Sequence, residues 1–219
     1  MKTKLNWGIL GTGPIAGAFA QGLAQSQTGT LLAVASRTAE SAKKFADKFA
    51  DKFNIAHRHV GYDALLADKD VQAVYIALPH PLHAEWAIKA AGAKKHVLVE
   101  KPLAMNHAQA MAVVEAAIAN DVFLMEAFMY RTHPQTRKLV ELLREKTIGE
   151  VRMIQAAFSF DAKKITPAHR LLANSLGGGG ILDVGCYPVS MSRLIAGVAL
   201  GRDFADPIEI KAAGHLGAT

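Results

Sequence analysis

Short β-rich runs and amphipathic helical patterns alternate along residues 1–126 of the chain. One apolar stripe at helical spacing consists of Ala42, Phe45, Ala46, Phe49 and Phe53. Such alternation is typical of a parallel sheet covered by helices, so we predict an α/β fold with a doubly wound parallel sheet. The predicted strands are Leu5 to Leu10, Leu31 to Ala35, Ala73 to Ala77, His96 to Glu100 and Val122 to Met125, with a weaker candidate at His57 to Val60.

The pattern changes after Arg131-Thr132-His133-Pro134. A helix follows, then a long predicted strand from Val151 to Phe160, a polar loop, a glycine run, another helix and a last predicted strand from Ile208 to Ala213. We therefore predict two domains, residues 1–126 and 127–219, the second of α+β type. Two long strands cannot form an independently stable sheet with one covered face, so we expect this second domain to be incomplete.

A glycine-containing turn joins the first predicted strand to the first predicted helix, with the sequence Gly11-Thr12-Gly13-Pro14-Ile15-Ala16. Gly11 permits the tight turn, Gly13 lets the backbone approach a pyrophosphate, and Ala16 lets helix and strand pack closely. Pro14 suits a first helical turn, where free N–H groups and the helix dipole favour phosphates. The six residues predict a Rossmann-type dinucleotide-binding domain, and an ordinary strand-to-helix turn is the alternative.

The end of the second predicted strand distinguishes two nicotinamide cofactors. An acidic residue there would accept hydrogen bonds from the ribose hydroxyls of NAD, but the chain has Ser36-Arg37-Thr38. An arginine flanked by hydroxyl groups can hold a 2′-phosphate through charge-assisted hydrogen bonds. We therefore expect NADP, with NAD still possible. In the alternative interpretation, Thr38 only caps the next helix and Arg37 points into water.

Composition narrows the function classes further. The chain has 219 residues, and 51% of them are hydrophobic. Its apolar stretches stop short of the roughly 20 residues that a membrane span needs, and strand-like sequence begins at Leu5, so we expect no membrane span and no signal peptide. The formal charge is +6, but the lysine doublets are scattered along the chain with acidic residues between them, which argues against a nucleic-acid partner. A single cysteine, Cys186, fits a reduced compartment, and we expect the cytoplasm.

Further motifs resemble one enzyme family. Glu100-Lys101-Pro102 ends the predicted strand from His96, and the run from Gly177 to Tyr187 reads GGGGILDVGCY. Together they resemble the glucose-fructose oxidoreductase and myo-inositol dehydrogenase family. The runs His80-Pro81-Leu82-His83, Leu124 to Met129 and Asp183 to Tyr187 are most similar to its dimeric dihydrodiol dehydrogenases and NADP-dependent D-xylose dehydrogenases. The resemblance covers essentially the whole chain, but family members continue further and complete an open mixed sheet.

The resemblance implies that the chain oxidises an alcohol, with Tyr187 as the base that takes the hydroxyl proton while a hydride leaves for nicotinamide. The reference pKa of tyrosine is about 10, and a nearby ammonium would lower it. Lys101 would supply that charge from the carboxyl edge of the sheet, and the family implies a cis peptide bond before Pro102. Asp183, four residues before Tyr187 and on the same side of a helix, would orient the tyrosine or the substrate hydroxyl. Many relatives have histidine at the position of Tyr187, and tyrosine there points to the glucose-fructose oxidoreductase and dihydrodiol branch.

Each of the remaining candidates also has a structural interpretation. The expected cofactor contacts include Leu78, Pro79, His80, His83 and Glu100, but the two histidines could equally cap the helix that follows. Met129 and Phe158 lie where relatives line the substrate pocket, yet an apolar residue in a strand is more often core. Lys101 could be a solvated rim residue, and Asp183 could be a helix N-cap or an ion-pair partner.

Two functions of different classes remain open. The first is an NADP-dependent oxidoreductase acting on a sugar, a polyol or a dihydrodiol, and the second is a non-catalytic dinucleotide-binding protein that acts as a sensor or assembly partner. We expect no catalytic metal, because the nine histidines form no H-E-x-x-H pattern and there is no cysteine pair. Since the two predicted C-terminal strands lack neighbours, we also expect a homodimer that forms through the C-terminal sheet.

Overall fold

The computed structural model describes residues 4–163 and 165–214. The chain divides into two compact units, Met1–Ala127 and Phe128–Thr219. Strand and helix alternate through the first unit, which contains β1 (Leu5–Leu10), α1 (Pro14–Leu23), β2 (Gly29–Ser36), α2 (Ala39–Lys48), β3 (His57–Val60), α3 (Tyr62–Leu66), β4 (Ala73–Ile76), α4 (His83–Gly92), β5 (His96–Val99), α5 (His107–Asn120) and β6 (Leu124–Glu126).

The strands of the first unit form one parallel sheet in the order β3-β2-β1-β4-β5-β6. Every strand predicted for this region is present, including the weaker candidate at His57–Val60, so the doubly wound parallel sheet is confirmed. The strand order reverses its direction between β1 and β4. Open α/β sheets bind ligands at such a switch point, outside the carboxyl ends of the strands.

Helices cover both faces of this sheet, and each face has its own core. All five residues of the predicted stripe are buried together with residues of α1 against one face, but α2 ends at Lys48, so Phe49 and Phe53 follow the helix. On the other face, α3, α4 and α5 contribute Leu65, Trp86 and Val113. Burial of each large apolar side chain stabilises the fold by about 1.5–3 kcal/mol. These two layers hold the strand ends, and hence the loops after them, in place.

The second unit contains two long helices, α6 (Pro134–Arg144) and α7 (Cys186–Ala199). They pack through Leu143, Leu194 and Val198, and Tyr130 and Val151 are partly buried against this cluster. Shorter helical turns occupy Met129–Thr132, Asn174–Leu176 and Ile181–Gly185.

The two strands predicted for the second unit are wrong. Neither Val151 to Phe160 nor Ile208 to Ala213 forms a strand in the part of this unit that the structure describes. Their residue types suit a strand, but a strand also needs a neighbour that pairs with its N–H and C=O groups. The described residues supply no such neighbour, so the predicted open sheet is absent from them, and side chains such as Met153 and Ile210 are exposed instead.

One segment of the second unit, Asn174–Ala199, is long and apolar enough to cross a membrane by length and composition alone, contrary to the expectation from the sequence. A single segment of this kind is weak evidence for a membrane span. It contains Asp183 and Arg193, which form ion pairs with Arg170 and Asp206. Charged residues are costly inside a bilayer, and the segment consists of two short helical turns followed by α7 instead of one continuous helix.

Candidate functional site

The carboxyl ends of the strands lie in one row at one edge of the sheet of the first unit. Backbone hydrogen bonds continue the ladder beyond the strands, from Gly11 to Ala35 (3.0 Å), from Ala77 to Leu10 (3.0 Å), from Glu100 to Ile76 (3.0 Å) and from Ala127 to Val99 (2.8 Å). The loops that follow these strands therefore leave the sheet at the same edge. Most of the residues predicted to contact a cofactor are brought together there.

The loop between β1 and α1 has the geometry that its glycines predict. Gly11 has a φ angle of +100°, and a Cβ atom there would lie 2.6 Å from the Ala77 carbonyl oxygen, so only glycine fits. At Gly13, no described heavy atom lies within 4 Å of the position that a Cβ atom would take. This open space is at the N-terminus of α1, which begins at Pro14 and buries Ala16 against the sheet. Free N–H groups there suit a phosphate.

The end of β2 lies close to the same loop. Ser36 is buried, and its Oγ lies 3.4 Å from Thr12 Oγ1. Thr38 accepts a backbone hydrogen bond in the first turn of α2, so the capping interpretation of this residue is correct. Burial raises the pKa of the Tyr62 phenol, and the positive charge of Arg37 acts in the opposite direction. Arg37 is exposed, so the end of β2 presents a guanidinium to solvent where NAD-binding domains often have a carboxylate.

The loop after β4 contains two histidines in different environments. Pro79 is exposed, His80 is half-buried, and Leu78 is buried. His83, at the start of α4, is fully buried, with Nδ1 2.7 Å from the Pro102 carbonyl oxygen and Nε2 2.7 Å from the Leu78 carbonyl oxygen. Both ring nitrogens of His83 therefore contact backbone inside the unit.

The loop after β5 carries the predicted catalytic lysine. The peptide bond between Lys101 and Pro102 is cis, as the family resemblance implies. Lys101 is half-buried, and the residue before it, Glu100, accepts a hydrogen bond from the Tyr75 hydroxyl. The side chain of Lys101 thus starts from a loop that is held at the carboxyl edge of the sheet.

A second carboxylate, Glu126, stands at the end of β6 beside this loop. Its Oε1 accepts a hydrogen bond from the Leu103 N–H at 2.7 Å. Burial raises the pKa of Glu126, the Leu103 N–H and the positive charge of Lys101 lower it, and the negative charge of Glu100 raises it. The net shift of the Glu126 pKa is upward, because the carboxylate that holds the loop has lost part of its hydration.

In the second unit, Tyr187 belongs to an aromatic cluster. It lies in the first turn of α7, and its ring centroid is 5.2 Å from that of Phe158, 5.3 Å from that of Phe128 and 6.1 Å from that of Tyr130. Phe158 is therefore in ring contact with the predicted base, while Met129 is 73% exposed. Neither of these two predicted substrate residues lies in a buried core.

Asp183 is buried in the turn Ile181–Gly185, which is π-helical and leads into α7. Arg170 donates to Asp183 Oδ1 at 3.2 Å, so the ion pair that the sequence left open is present. A π-helix bonds residue i to residue i+5, so the spacing of four to Tyr187 no longer implies a shared face. Turns of this type are rare and frequently occur at functional sites.

Sequence reasoning missed three residues at these places, namely Tyr75, Glu126 and Arg170. Glu126 had a visible signal, because it is a carboxylate at the carboxyl end of a predicted strand within the run Leu124 to Met129. Tyr75 lies inside β4, where an aromatic residue indicates core. Arg170 lies in a loop, and no local pattern connects it with Asp183.

A separate polar cluster lies on the edge strand β3 and after α3. His57 Nδ1 and His59 Nε2 lie 2.6 Å and 2.9 Å from the same oxygen of Asp68, and all three residues are of types that bind metals. Ligands of one tetrahedral zinc ion would stand roughly 3.3 Å apart, so the observed distances indicate hydrogen bonds. Burial raises the pKa of Asp68, but hydrogen bonds from the histidines and the Asp70 N–H outweigh it, and the net shift is downward.

Two family models match the chain. The model of the oxidoreductase family with the NAD-binding Rossmann fold, GFO/IDH/MocA, matches residues 5–128. The model of the GFO/IDH/MocA C-terminal domain matches residues 136–206. The first model alone covers more than half of the chain, and the sheet described above lies within it.

Individual relatives agree with these models. The chain is 38% identical to a trans-1,2-dihydrobenzene-1,2-diol dehydrogenase of Xenopus laevis over 197 residues, which are 89% of this chain and 57% of that protein. It is 40% identical to a D-xylose 1-dehydrogenase (NADP(+)) of Haloferax volcanii, covering 87% of this chain and 57% of that protein. A crystal structure of a 3-ketoreductase from Actinomadura kijaniata, in complex with NADP and TDP-benzene, superposes with a TM-score of 0.80 at 36% identity, covering 89% of this chain and 58% of that chain. The chain thus spans about three fifths of the length of its relatives, and it belongs to the GFO/IDH/MocA family of oxidoreductases.

Proposed function

We propose that the protein is an NADP-dependent oxidoreductase that transfers a hydride between nicotinamide and a hydroxyl or carbonyl group of a sugar, a polyol or a dihydrodiol. The observation that carries this proposal is the loop after β1. Its Gly13 leaves open space at the N-terminus of α1, at the switch point of the sheet, where a Cβ atom would intrude on a phosphate. Thr12, Pro14 and Ile15 flank Gly13 in the same loop and first helical turn, and Ile15 is 46% exposed.

The exposed guanidinium of Arg37 favours NADP over NAD. It stands at the end of β2, next to Ser36 and Thr38, where it can bind a 2′-phosphate. Relatives support this preference, because the D-xylose dehydrogenase is named for NADP(+) and the 3-ketoreductase was crystallised with NADP. On the other side of the switch point, Leu78, Pro79 and His80 follow β4 and suit the nicotinamide half of the cofactor.

Arg37→Ala is expected to weaken NADP binding roughly ten- to a hundredfold, because losing a charge-assisted hydrogen bond costs about 1.5–3 kcal/mol. NAD lacks the 2′-phosphate, so its dissociation constant should change little. Calorimetric titration of the variant with NADP+ and with NAD+ measures both effects. The exposed Arg137, in α6, provides the matched control Arg137→Ala, which should leave both affinities unchanged. Equal affinity of the unmodified chain for the two cofactors would contradict the proposal.

In the proposed reaction, Tyr187 moves the proton and Lys101 supplies positive charge. In the oxidative direction, the phenolate oxygen of Tyr187 takes the proton of the substrate hydroxyl, and the ammonium of Lys101 stabilises that phenolate. NADP, when bound, supplies the acceptor or donor of the hydride. Asp183, held by Arg170, orients the segment that carries Tyr187, while Phe158 and Met129 offer apolar surface to the substrate. Among solved structures of the 3-ketoreductase are variants of one lysine and of one tyrosine, residue types that match this assignment.

The substrate class rests on the relatives, which are named for a dihydrodiol, for D-xylose and for a deoxysugar nucleotide. A panel of D-xylose, D-glucose, myo-inositol and trans-1,2-dihydrobenzene-1,2-diol, each with NADP+ and NAD+, tests it by formation of the reduced cofactor. Turnover of at least one member supports the proposal. Tight NADP binding without turnover on any member would instead favour the non-catalytic dinucleotide-binding protein.

We further expect the chain to associate with a second copy through its C-terminal unit. Met153, Ile208 and Ile210 are exposed, and apolar surface of this kind is usually covered. A specific contact should bury more than about 1,000 Å² in total. Light scattering at micromolar concentration should give the mass of two chains, and the double substitution Ile208→Lys with Ile210→Lys should lower it. A mass of one chain together with cooperative unfolding would contradict this expectation.

A further inference from the structure

We propose that His83 and Glu126 are positioning residues that hold the peptide group between Pro102 and Leu103 and thereby fix Lys101. The inference rests on the proposed function for the role of Lys101, but the contacts on which it depends lie entirely within the first unit. Neither side chain needs to touch the substrate. Each acts through the backbone that follows the lysine.

The side chains of His83 and Glu126 contact the two polar atoms of one peptide group. His83 Nδ1 lies 2.7 Å from the carbonyl oxygen of Pro102, and Glu126 Oε1 accepts the N–H of Leu103 at 2.7 Å. These two backbone atoms belong to the same planar unit, so its orientation is fixed from both ends. A peptide group in a loop has no neighbouring strand with which to form hydrogen bonds. Here side chains provide the hydrogen-bonding partners instead.

His83 also connects this loop to the end of β4. Its Nε2 lies 2.7 Å from the carbonyl oxygen of Leu78, and the side chain is fully buried. A carbonyl oxygen only accepts hydrogen bonds, so the ring nitrogen that carries the hydrogen donates to the carbonyl oxygen that it faces. The loops after β4 and β5, which border the proposed nicotinamide position, are thus tied together by one buried ring.

Glu126 fixes the loop from the other neighbouring strand. It pairs with Val99 in the register of β5 and β6, so its carboxylate lies directly beside the start of the loop. The positive charge of Lys101 and the negative charge of Glu100 both act on it. On the far side of Lys101, the Tyr75 hydroxyl holds Glu100. Lys101 therefore has an anchored residue before it and an anchored peptide group after it.

The test compares Glu126→Leu, which removes the acceptor, with Glu126→Gln, which retains an oxygen at the same place. The matched control is Glu115→Leu, because Glu115 is an exposed residue of α5. Hydrogen exchange of the Leu103 amide is followed by NMR in the full chain. Glu126→Leu should speed this exchange about tenfold or more, whereas Glu126→Gln and the control should remain near the unmodified rate.

The consequence for Lys101 is measured in the same variants. With NADP+ and D-xylose or trans-1,2-dihydrobenzene-1,2-diol, kcat should fall about a hundredfold in Glu126→Leu and recover in Glu126→Gln. The dissociation constant of NADP and the thermal midpoint should change little, which separates positioning from loss of the fold. His83→Leu should also lower kcat, because it removes the contact with the Pro102 carbonyl oxygen.

Unchanged Leu103 exchange in a folded Glu126→Leu variant would overturn the proposal, and so would full kcat in that variant. If the unmodified chain neither binds NADP nor turns over any substrate, the proposed function fails. The exchange rate of the Leu103 amide decides the anchoring contact with Glu126 independently of that outcome.

Discussion

Tyr187→Phe is expected to lower turnover by about a hundred- to ten-thousandfold, because it removes the only group proposed to take the substrate proton. Phenylalanine keeps the ring contacts with Phe158 and Phe128, at 5.2 Å and 5.3 Å, so the second unit should remain folded. Initial rates of reduced-cofactor formation measure the effect, and calorimetric titration should show unchanged NADP affinity.

A matched control exists within the same aromatic cluster. The hydroxyl of Tyr130 lies 2.7 Å from Ser190 Oγ. Tyr130→Phe removes a phenol hydroxyl from the same cluster but leaves the proposed base, Tyr187, in place, so it should retain turnover. Lys101→Met should lower turnover to a similar level, and the double variant should be no worse than either single one, because both residues are proposed to act on one proton. Full activity of Tyr187→Phe would transfer the role of base to another group, with His80 the next candidate.

Gly11→Ala is expected to destabilise the first unit by at least about 2 kcal/mol and to abolish measurable NADP binding. The φ angle of +100° is unfavourable for alanine, and its Cβ atom would lie 2.6 Å from the Ala77 carbonyl oxygen, which belongs to backbone and cannot rotate away. The loop would have to move relative to β4. Thermal or urea unfolding measures the loss of stability.

Gly13→Ala separates the cofactor contribution from the structural one. The position has no positive φ angle and no described neighbour within 4 Å of a Cβ atom, so stability should be retained while NADP affinity falls. Gly92→Ala, near the end of α4, has the same open surroundings away from the loop and should affect neither property adversely. Undiminished NADP binding by Gly13→Ala would show that no phosphate lies where the loop leaves space.

The sequence by itself determined the architecture of the first unit. Its strands are short β-rich runs bounded by turn residues, and its helices carry continuous apolar stripes, so local preference and burial indicate the same elements. The glycine loop was predictable for a similar reason, since the backbone at Gly11 accepts only glycine and the small residue Ala16 is fully buried where the helix packs on the sheet. Relating Lys101 and Tyr187 to chemistry required the family resemblance, because neither residue carries a local signal of its own.

Only the tertiary structure decided the features that depend on residues far apart in the chain. Val151 to Phe160 has the composition of a strand, but a strand forms only where a neighbour supplies hydrogen-bond partners, and that neighbour is absent from the described residues. The anchoring of the loop after Lys101 joins residues separated by 19 and 23 positions, and the ion pair of Asp183 with Arg170 spans 13. Local composition does not show which residues so far apart in the sequence will be in contact. The packing of one element against another brings these atoms together.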